Sequence, residues 1–490
     1  ATPTRTRPAD TATPTVPTAT ASATSTATAT PTPTLAGAQG AVAPLTGAGR
    51  WFVDALGRVV MLHGVNMVEK SAPFYPAAFG FGADDAAFLA AEGFNSLRLG
   101  VDFRGLMPTP GIVETEYIEH LAETVDVLTQ HGIFVLIDFH QDGFAPMFNG
   151  NGLPDWLAIG DGLPNPPDAV FPLYYIQNPA MQRAFENFWA NRDGPEGIGL
   201  QDYFFQGLEA VVARFADEPL VLGTELMNEP WPGAVYLPCA TDLDGCPDLE
   251  AERLGPFYQR GVDAARRLAP AQLVFVEPFV LFNFGMANTT LPGAQPGRAL
   301  SFHSYALNLA GEEGVVSKAI AAAERDAAPL LLTEFGATID PVALNRLTAQ
   351  MEHGLVPWMF WAYNESIIAD LEQPAGPDNL RSRAAFDALV RPYPIATTGT
   401  PTEIAFDPTT RTFRLAYETT GPGGAPFDRN AVTVVSVPRR HYPDGYAVSV
   451  AGAVVTSLPC AELLTLHNES GAERVSLEVA PAAGGCAPVR

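Results

Sequence analysis

Eight short apolar runs, spaced by amphipathic stretches between Trp51 and about Pro392, constrain this chain more than any other feature. They are VVMLHGVNM (59–67), NSLRLGVDF (95–103), IFVLIDFHQ (133–141), LVLGTELMN (220–228), LVFVEPF (273–279), LSFHSY (300–305), PLLLTEFG (329–336) and PWMFWAYN (357–364). Most are β-branched or aromatic and nearly continuous in apolar character, which is the pattern of strands covered on both faces. Helical patterns lie between several of them, as in DDAAFLAAEG, YIEHLAETVDVLTQHG, EAERLGPFYQRGVDAARRL and VALNRLTAQMEHG. Gly and His close two of these, as at a C-cap. Eight strands with intervening helices over roughly 340 residues predict an α/β chain with a (β/α)8 TIM barrel carrying insertions.

The flanks differ from this core. Residues 1–40 repeat Thr, Pro and Ala, as in TATPTVPTATASATSTATATPTPT, and cannot bury an apolar face; a disordered linker or stalk is expected. Beyond Pro392 the runs shorten and alternate (TEIAFDPTTRTFRLAYET, NAVTVVSVP, YAVSVAGAVVTS, RVSLEVAP), with Pro/Gly turns between them. That predicts a small antiparallel all-β sandwich. The expected division is a linker over 1–40, a barrel over 41–394 and a sandwich over 395–490. Cys239 and Cys246 form one near pair and Cys460 and Cys486 another, without CxxC spacing or nearby ligand-spaced histidines. Two disulfides, Cys239–Cys246 and Cys460–Cys486, are expected in an oxidising compartment, with four unpaired thiols as the alternative. The first residue is Ala, which suggests a processed, secreted or cell-surface chain. No apolar run reaches the ~20 residues of a membrane span. The 54 acidic against 28 basic residues, a net charge of −26, repel nucleic acid and anionic membranes and favour an uncharged substrate.

In a barrel of this kind the active site lies at the C-terminal ends of the strands. Polar residues that a buried strand does not need collect at those ends. The second run carries Arg98 and Asp102, the third Asp138 and His140 with Asp142 just beyond, and the fourth ends in Asn228-Glu229. The sixth carries His303 and Tyr305, which share parity; the seventh carries Glu334; the eighth carries Trp361, Tyr363 and Asn364. Any one of these is explained as a solvated turn residue; their convergence on one rim is not. Two carboxylates on strands four and seven suit hydrolysis of a glycosidic bond, one protonating the leaving oxygen while the other attacks the anomeric carbon, provided that they stand ~5–5.5 Å apart. Arg98 and Tyr305 are candidates to keep Glu334 ionised. Asn228 is a candidate to bond a sugar hydroxyl, His303 to bond Glu229 or the sugar, and the Trp361 face to stack on a pyranose. Asn228 and Glu229 cannot both point inward from an ideal strand, so a bend or bulge is expected there. Glu225 shares parity with Glu229 and is expected as a buried structural partner.

NEP (228–230) and TEFG (333–336), in phase with Arg98, His140, His303, Tyr305 and Trp361, resemble glycoside hydrolase family 5, a retaining (β/α)8 family. The resemblance runs from about Trp51 to Pro392 and implies Glu229 as acid/base and Glu334 as nucleophile. GVNMVEKSAPFYP, DFHQDGF, NGNGLPDW, NEPWPG, FWAYNE and the RLAYET stretch look more like the endoglycoceramidases of that family than its cellulases. That likeness implies cleavage between an oligosaccharide and ceramide, with Lys70 and Asp142 on the sugar. For Lys70 a solvated loop position is the alternative. The segments 143–200 and 279–292 are rich in large apolar residues, which suggests contact with a membrane or lipid micelle, with Phe144, Trp156, Phe282 and Phe284 as candidate walls; self-packed loops are the alternative. Three functions are weighed: a glycosphingolipid hydrolase, an endoglucanase, mannanase or glucosylceramidase on the same barrel, and a non-catalytic carbohydrate- or lipid-binding protein. No metal or cofactor is called for, and a monomer is expected. Sequons stand at Asn288, Asn364 and Asn468.

Overall fold

The computed structural model describes residues 40–486 apart from 243, 287, 291–296, 306–310, 425–426, 428–429 and 483–484. The expected disordered segment therefore lies, save Gly40, outside the described residues. Eight parallel strands close into a barrel: β1 (His63–Met67), β2 (Ser96–Val101), β3 (Phe134–Phe139), β4 (Val221–Glu225), β5 (Leu273–Val276), β6 (Arg298–Ser304), β7 (Leu330–Gly336) and β8 (Trp358–Trp361). Seven fall inside their apolar runs, and β6 begins two residues before its own, at Arg298.

Alternation along the strands sorts their side chains. On β2 and β3, Leu97, Leu99, Val135 and Ile137 pack outward against the helices, while Arg98 and Asp138 turn into the barrel. The helix over Thr115–Gln130 buries Tyr117, Ile118, Leu121, Val125 and Leu128, a three-to-four spacing that sets one face on the barrel. Two strands break the alternation, and both breaks serve the site. On β4 the register slips near Gly223, whose φ of +149° and place against the Leu273 carbonyl (1.8 Å from where a Cβ would stand) admit only glycine. On β7 a slip between Leu332 and Glu334 allows adjacent Thr333 and Glu334 both to reach inward partners, Glu225 and Arg98.

Two further sheets form the second layer system. One is four-stranded, over Thr400–Asp407, Thr412–Glu418, Arg474–Pro481 and Tyr446–Ala451. The other is seven-stranded and joins Tyr393–Thr397, Thr433–Ser436, Leu463–Asn468 and Ala453–Val455 to three strands that precede the barrel, Thr46–Ala48, Trp51–Val53 and Val59–Val60. The run 59–67 is thus two strands, not one: Val59–Val60 pairs with the Tyr393–Thr397 strand, and only His63–Met67 enters the barrel. The sandwich shares one apolar core with the barrel interior, in which Phe406, Leu415, Val435 and Leu466 belong with Leu136, Leu222, Phe275, Leu331 and Met359. It therefore plugs the floor of the barrel and leaves the C-terminal rim free. Both disulfides, Cys239–Cys246 and Cys460–Cys486, are formed.

Candidate active site

The rim is organised around Arg98, which has no exposed surface. Its Nε donates to Glu225 at 2.6 Å, its Nη1 to Glu334 at 2.5 Å and Asn66 at 3.0 Å, and its Nη2 to Asn228 at 2.7 Å; Asp138 lies 3.0 Å away. A guanidinium with four hydrogen bonds and a further ion pair ties strands β1, β3, β4 and β7 and the loop after β4 to β2. Glu225 is the buried partner that its parity suggested.

Strand β4 ends at Glu225, four residues before Glu229. The chain then turns, and Glu229 takes a left-handed φ of +43°. The turn, rather than a bulge within a strand, brings both Asn228 and Glu229 to the centre. It is held from both sides: the Gln141 amide donates to the carbonyls of Asn228 and Glu229 (2.7 and 3.0 Å), and the Glu229 N–H donates to the Glu277 carboxylate at 2.8 Å. Glu277, just past β5, also accepts from Asn283 at 2.6 Å and lies 3.6 Å from His303 Nε2. On its other side, His303 Nδ1 stands 2.8 Å from Glu229 and 3.6 Å from Glu334. Tyr305 donates to Glu334 at 3.2 Å. One carboxylate oxygen of Glu229 lies within 4.8 Å of one on Glu334, a short spacing of the retaining kind.

The two carboxyl groups sit in different fields. Burial, followed by the charge of Asp142, raises Glu229 to about 7. Burial also pushes Glu334 above the usual carboxylate range, but the Arg98 guanidinium in direct contact favours its charged form. Glu277 is raised well above the usual range by burial and by Glu225 and Glu229. The histidines diverge as well. Burial takes His303 down to about 4, leaving a neutral ring beside Glu229. His140 is equally buried, yet Asp138 (2.7 Å) and Asp142 (3.4 Å) overcome burial and raise it to about 9.

A cleft of about 560 Å³ opens over the pair. Part of its lining is polar: Lys70 pairs with Asp142 at 2.5 Å and lies 4.7 Å above the Trp361 ring, Asn151 donates to Asp142 at 2.9 Å, and His140 stacks on Trp361. The rest is largely apolar, from Phe171, Pro172, Tyr174, Phe284 and Ala337, with the Tyr174 ring against Gly143 and the Ala337 N–H donating to the Trp361 carbonyl. Of the four apolar residues expected to line a slot, only Phe284 does so. Phe144 is fully buried between Phe185 and Phe188, Phe282 packs on Phe302, and Trp156 packs on Tyr203 and bonds the Met107 carbonyl. Those loops form their own core, and the exposed apolar edge is instead Val170, Phe171, Leu173 and Ile176. Residues 291–292 of the second segment lie outside the described residues.

Of the residues singled out from sequence for the site, Lys70, Arg98, His140, Asp142, Asn228, His303, Tyr305 and Trp361 stand within this constellation. Asp102 and Tyr363 do not: Asp102 caps the helix at Phe103 and binds Arg104, and Tyr363 donates to Asp85. Glu277, Asn66 and Gln141 were missed. Glu277 carried a signal, because VEPF repeats the strand–Glu–Pro arrangement of MNEP one strand further on. Glu229, His303 and Glu334, and likewise Glu225, Glu277 and His303, bring three ligand atoms within 4.8 Å. Arg98 already touches Glu225 and Glu334, so a metal ion there would sit against a guanidinium.

A family model described as Cellulase (glycosyl hydrolase family 5) matches residues 53–366, and one described as Glycoside hydrolase family 5 C-terminal domain matches 391–479. The chain is 33% identical over 471 residues to endoglycoceramidase I of Rhodococcus hoagii (strain 103S), covering 91% of this chain and 90% of that protein. Two solved structures of endo-glycoceramidase II from Rhodococcus sp., a lactosyl-enzyme intermediate and a ganglioside GM3 complex, match with TM-scores of 0.70 and 0.68 at 27% and 26% identity. Each match covers 88% of this chain and 99% of the other.

Proposed function

This chain belongs to glycoside hydrolase family 5, and from that membership we propose that it is an endoglycoceramidase, cleaving the β-glycosidic bond between the oligosaccharide and the ceramide of glycosphingolipids. It is a retaining glycoside hydrolase. The observation that carries the substrate reading is the mixed lining of the cleft over the carboxyl pair, which offers Lys70, Asp142 and Trp361 to a sugar and Phe171, Pro172, Tyr174 and Phe284 to an apolar group. A polysaccharide has sugar on both sides of its cut; a glycolipid has sugar on one side and alkyl chain on the other, and a lining of both kinds serves both.

In this reading Glu229, held protonated by burial, gives its proton to the glycosidic oxygen of ceramide. The Glu334 carboxylate, kept charged by Arg98 and oriented by Tyr305, attacks the anomeric carbon from the opposite face. Ceramide leaves along the apolar lining. Water then attacks the glycosyl–Glu334 ester, Glu229 takes its proton, and the oligosaccharide departs with its configuration retained. His303, neutral and between the two carboxyls, exchanges a hydrogen bond with Glu229 as that proton goes and returns. The exposed Val170, Phe171, Leu173 and Ile176 rest on the micelle or membrane that presents the substrate. The chain acts as a monomer outside the cell; its two disulfides fit that compartment. Among the described residues no helix is long and apolar enough to cross a membrane.

Mass spectrometry of the products from lactosylceramide tests the reading. Intact lactose and intact ceramide are expected. Release of galactose or glucose alone would assign an exo-acting glycosidase, and cleavage of β-glucan with lactosylceramide untouched would overturn the lipid assignment.

A further inference from the structure

A second cavity, of about 310 Å³, adjoins the catalytic cleft and shares Lys70 and Trp361 with it. Phe171, Pro172, Tyr174 and Phe284, the apolar lining of the catalytic cleft, take no part in it. Its lining beyond the shared pair includes Glu69, Ser71, Asn364, Glu365 and Ser366.

A glycan whose reducing-end sugar lies at Trp361 has one polar direction in which to continue, past Lys70 into this space. Carboxylates, an amide and hydroxyls are the groups that bond sugar hydroxyls, the carboxylates accepting and the amide doing both. The charge balance is one-sided. The lining carries two carboxylates, Glu69 and Glu365, and a single cation, Lys70, whose ammonium is bound to Asp142 on the catalytic side. Glu69 is half-buried and turns one oxygen to the Ser71 N–H at 2.7 Å; Glu365 is half-buried too. A hydroxylated, uncharged sugar is accepted here, whereas a sugar bearing a carboxylate or sulfate meets like charge.

We propose that this cavity receives the sugars beyond the cleaved glucose, and that Glu69 and Glu365 make the enzyme selective for glycosphingolipids with uncharged head groups over sialylated or sulfated ones. The inference rests on the glycosphingolipid reading. It also separates this chain from endo-glycoceramidase II of Rhodococcus sp., whose structure is known in complex with ganglioside GM3.

The test uses the full chain and two water-soluble probes, an aryl β-lactoside and the same lactoside carrying a terminal sialic acid, so that charge at a lipid surface does not enter. The readout is the ratio of their kcat/KM values. A like charge ~6 Å away in a half-exposed site is worth about three- to tenfold. The wild-type enzyme is therefore expected to prefer the neutral lactoside by at least about threefold at low salt. That preference should shrink between ~20 mM and ~300 mM salt, as the screening length falls below the charge separation. Glu365→Gln and Glu69→Gln should each move the ratio about threefold toward the sialylated probe and weaken its salt dependence; the second variant serves if the first fails to fold. A wild-type ratio near one, or a ratio that neither substitution moves, overturns the proposal. Failure to release ceramide from lactosylceramide would instead sink the lipid reading, and the ratio on soluble probes is measured either way.

Discussion

Replacing Asp142 by Asn isolates what holds the proton on Glu229. The carboxyl of Glu229 sits at about 7 against an ordinary 4.5, so its charged form is disfavoured by about 3 kcal/mol. Burial is the larger cause and the Asp142 charge the next. Asp142 also neutralises Lys70 at 2.5 Å and faces His140 at 3.4 Å. Asn at this position removes a negative charge and frees an ammonium, and both changes favour the Glu229 carboxylate. One charge ~8 Å away at an effective dielectric of ~20 is worth about 2 kcal/mol. Lys70 will swing partly toward water, so we expect a net drop of about one pH unit in the titration of Glu229. The assay is kcat/KM against pH on an alkyl lactoside, whose poor leaving group needs the proton; this profile reports the free enzyme. Because Glu229 must be protonated to act, activity fades as pH rises through its folded pKa: near 7 in the wild type, near 6 in Asp142→Asn. Loss of a sugar contact lowers the whole curve without moving that limb. A half-point that stays within about 0.3 unit of the wild type, or rises, would refute the assignment of Glu229 as the acid.

The two carboxyls separate by leaving group. Glu334→Gln should lower turnover by at least about a thousandfold on every substrate, while Glu229→Gln should do so on lactosylceramide but cost far less on a dinitrophenyl lactoside, which leaves without a proton; equal losses would contradict the roles. Phe171→Asp, on the 56% exposed Phe171, should weaken cleavage of lactosylceramide micelles about tenfold and spare a soluble aryl lactoside, each lost methylene contact being worth about 0.8 kcal/mol; parallel losses would mean that the residue only supports its loop. Glu277→Ala leaves the buried Glu229 N–H unpaired and should cost about 1–3 kcal/mol of stability and at least tenfold in kcat, with much of the rate recovered in Glu277→Gln; an Ala variant within twofold of wild type would show that the turn holds itself.

Much of this molecule was legible before its coordinates. The barrel was, because strands walled in on both faces leave unbroken apolar runs. The site was, because Arg98, Glu229, His303 and Glu334 are costly to bury without a reason and each stood in or just beyond an apolar run. Three kinds of feature were not. The strands at 46–60 are two or three residues long, and they join the second sheet only through Val59–Val60, whose partner strand lies more than 300 positions away. Glu277 stood alone in an apolar run, and only the three-dimensional closure of β4 against β5 shows that it grips the Glu229 backbone. Composition placed large apolar residues on the rim loops but could not divide them into Phe144, which packs inward, and Phe171, which faces out.

The sheet that unites strands from before and after the barrel also bears on how the protein is made. Val60 pairs with Ala396, so the strands that precede the barrel wait for a partner about 330 residues behind them. At ~5–20 residues per second that wait lasts roughly 15–70 s. Throughout it, Phe52, Val59 and Leu62, all buried in the finished protein, have no sandwich to enter, and the edge of Val59–Val60 has no neighbour from the second half of the chain. The same arrangement forbids exchange of the barrel as a cassette: cutting after 394 removes the strands that close its floor, so barrel and sandwich are inherited as one piece.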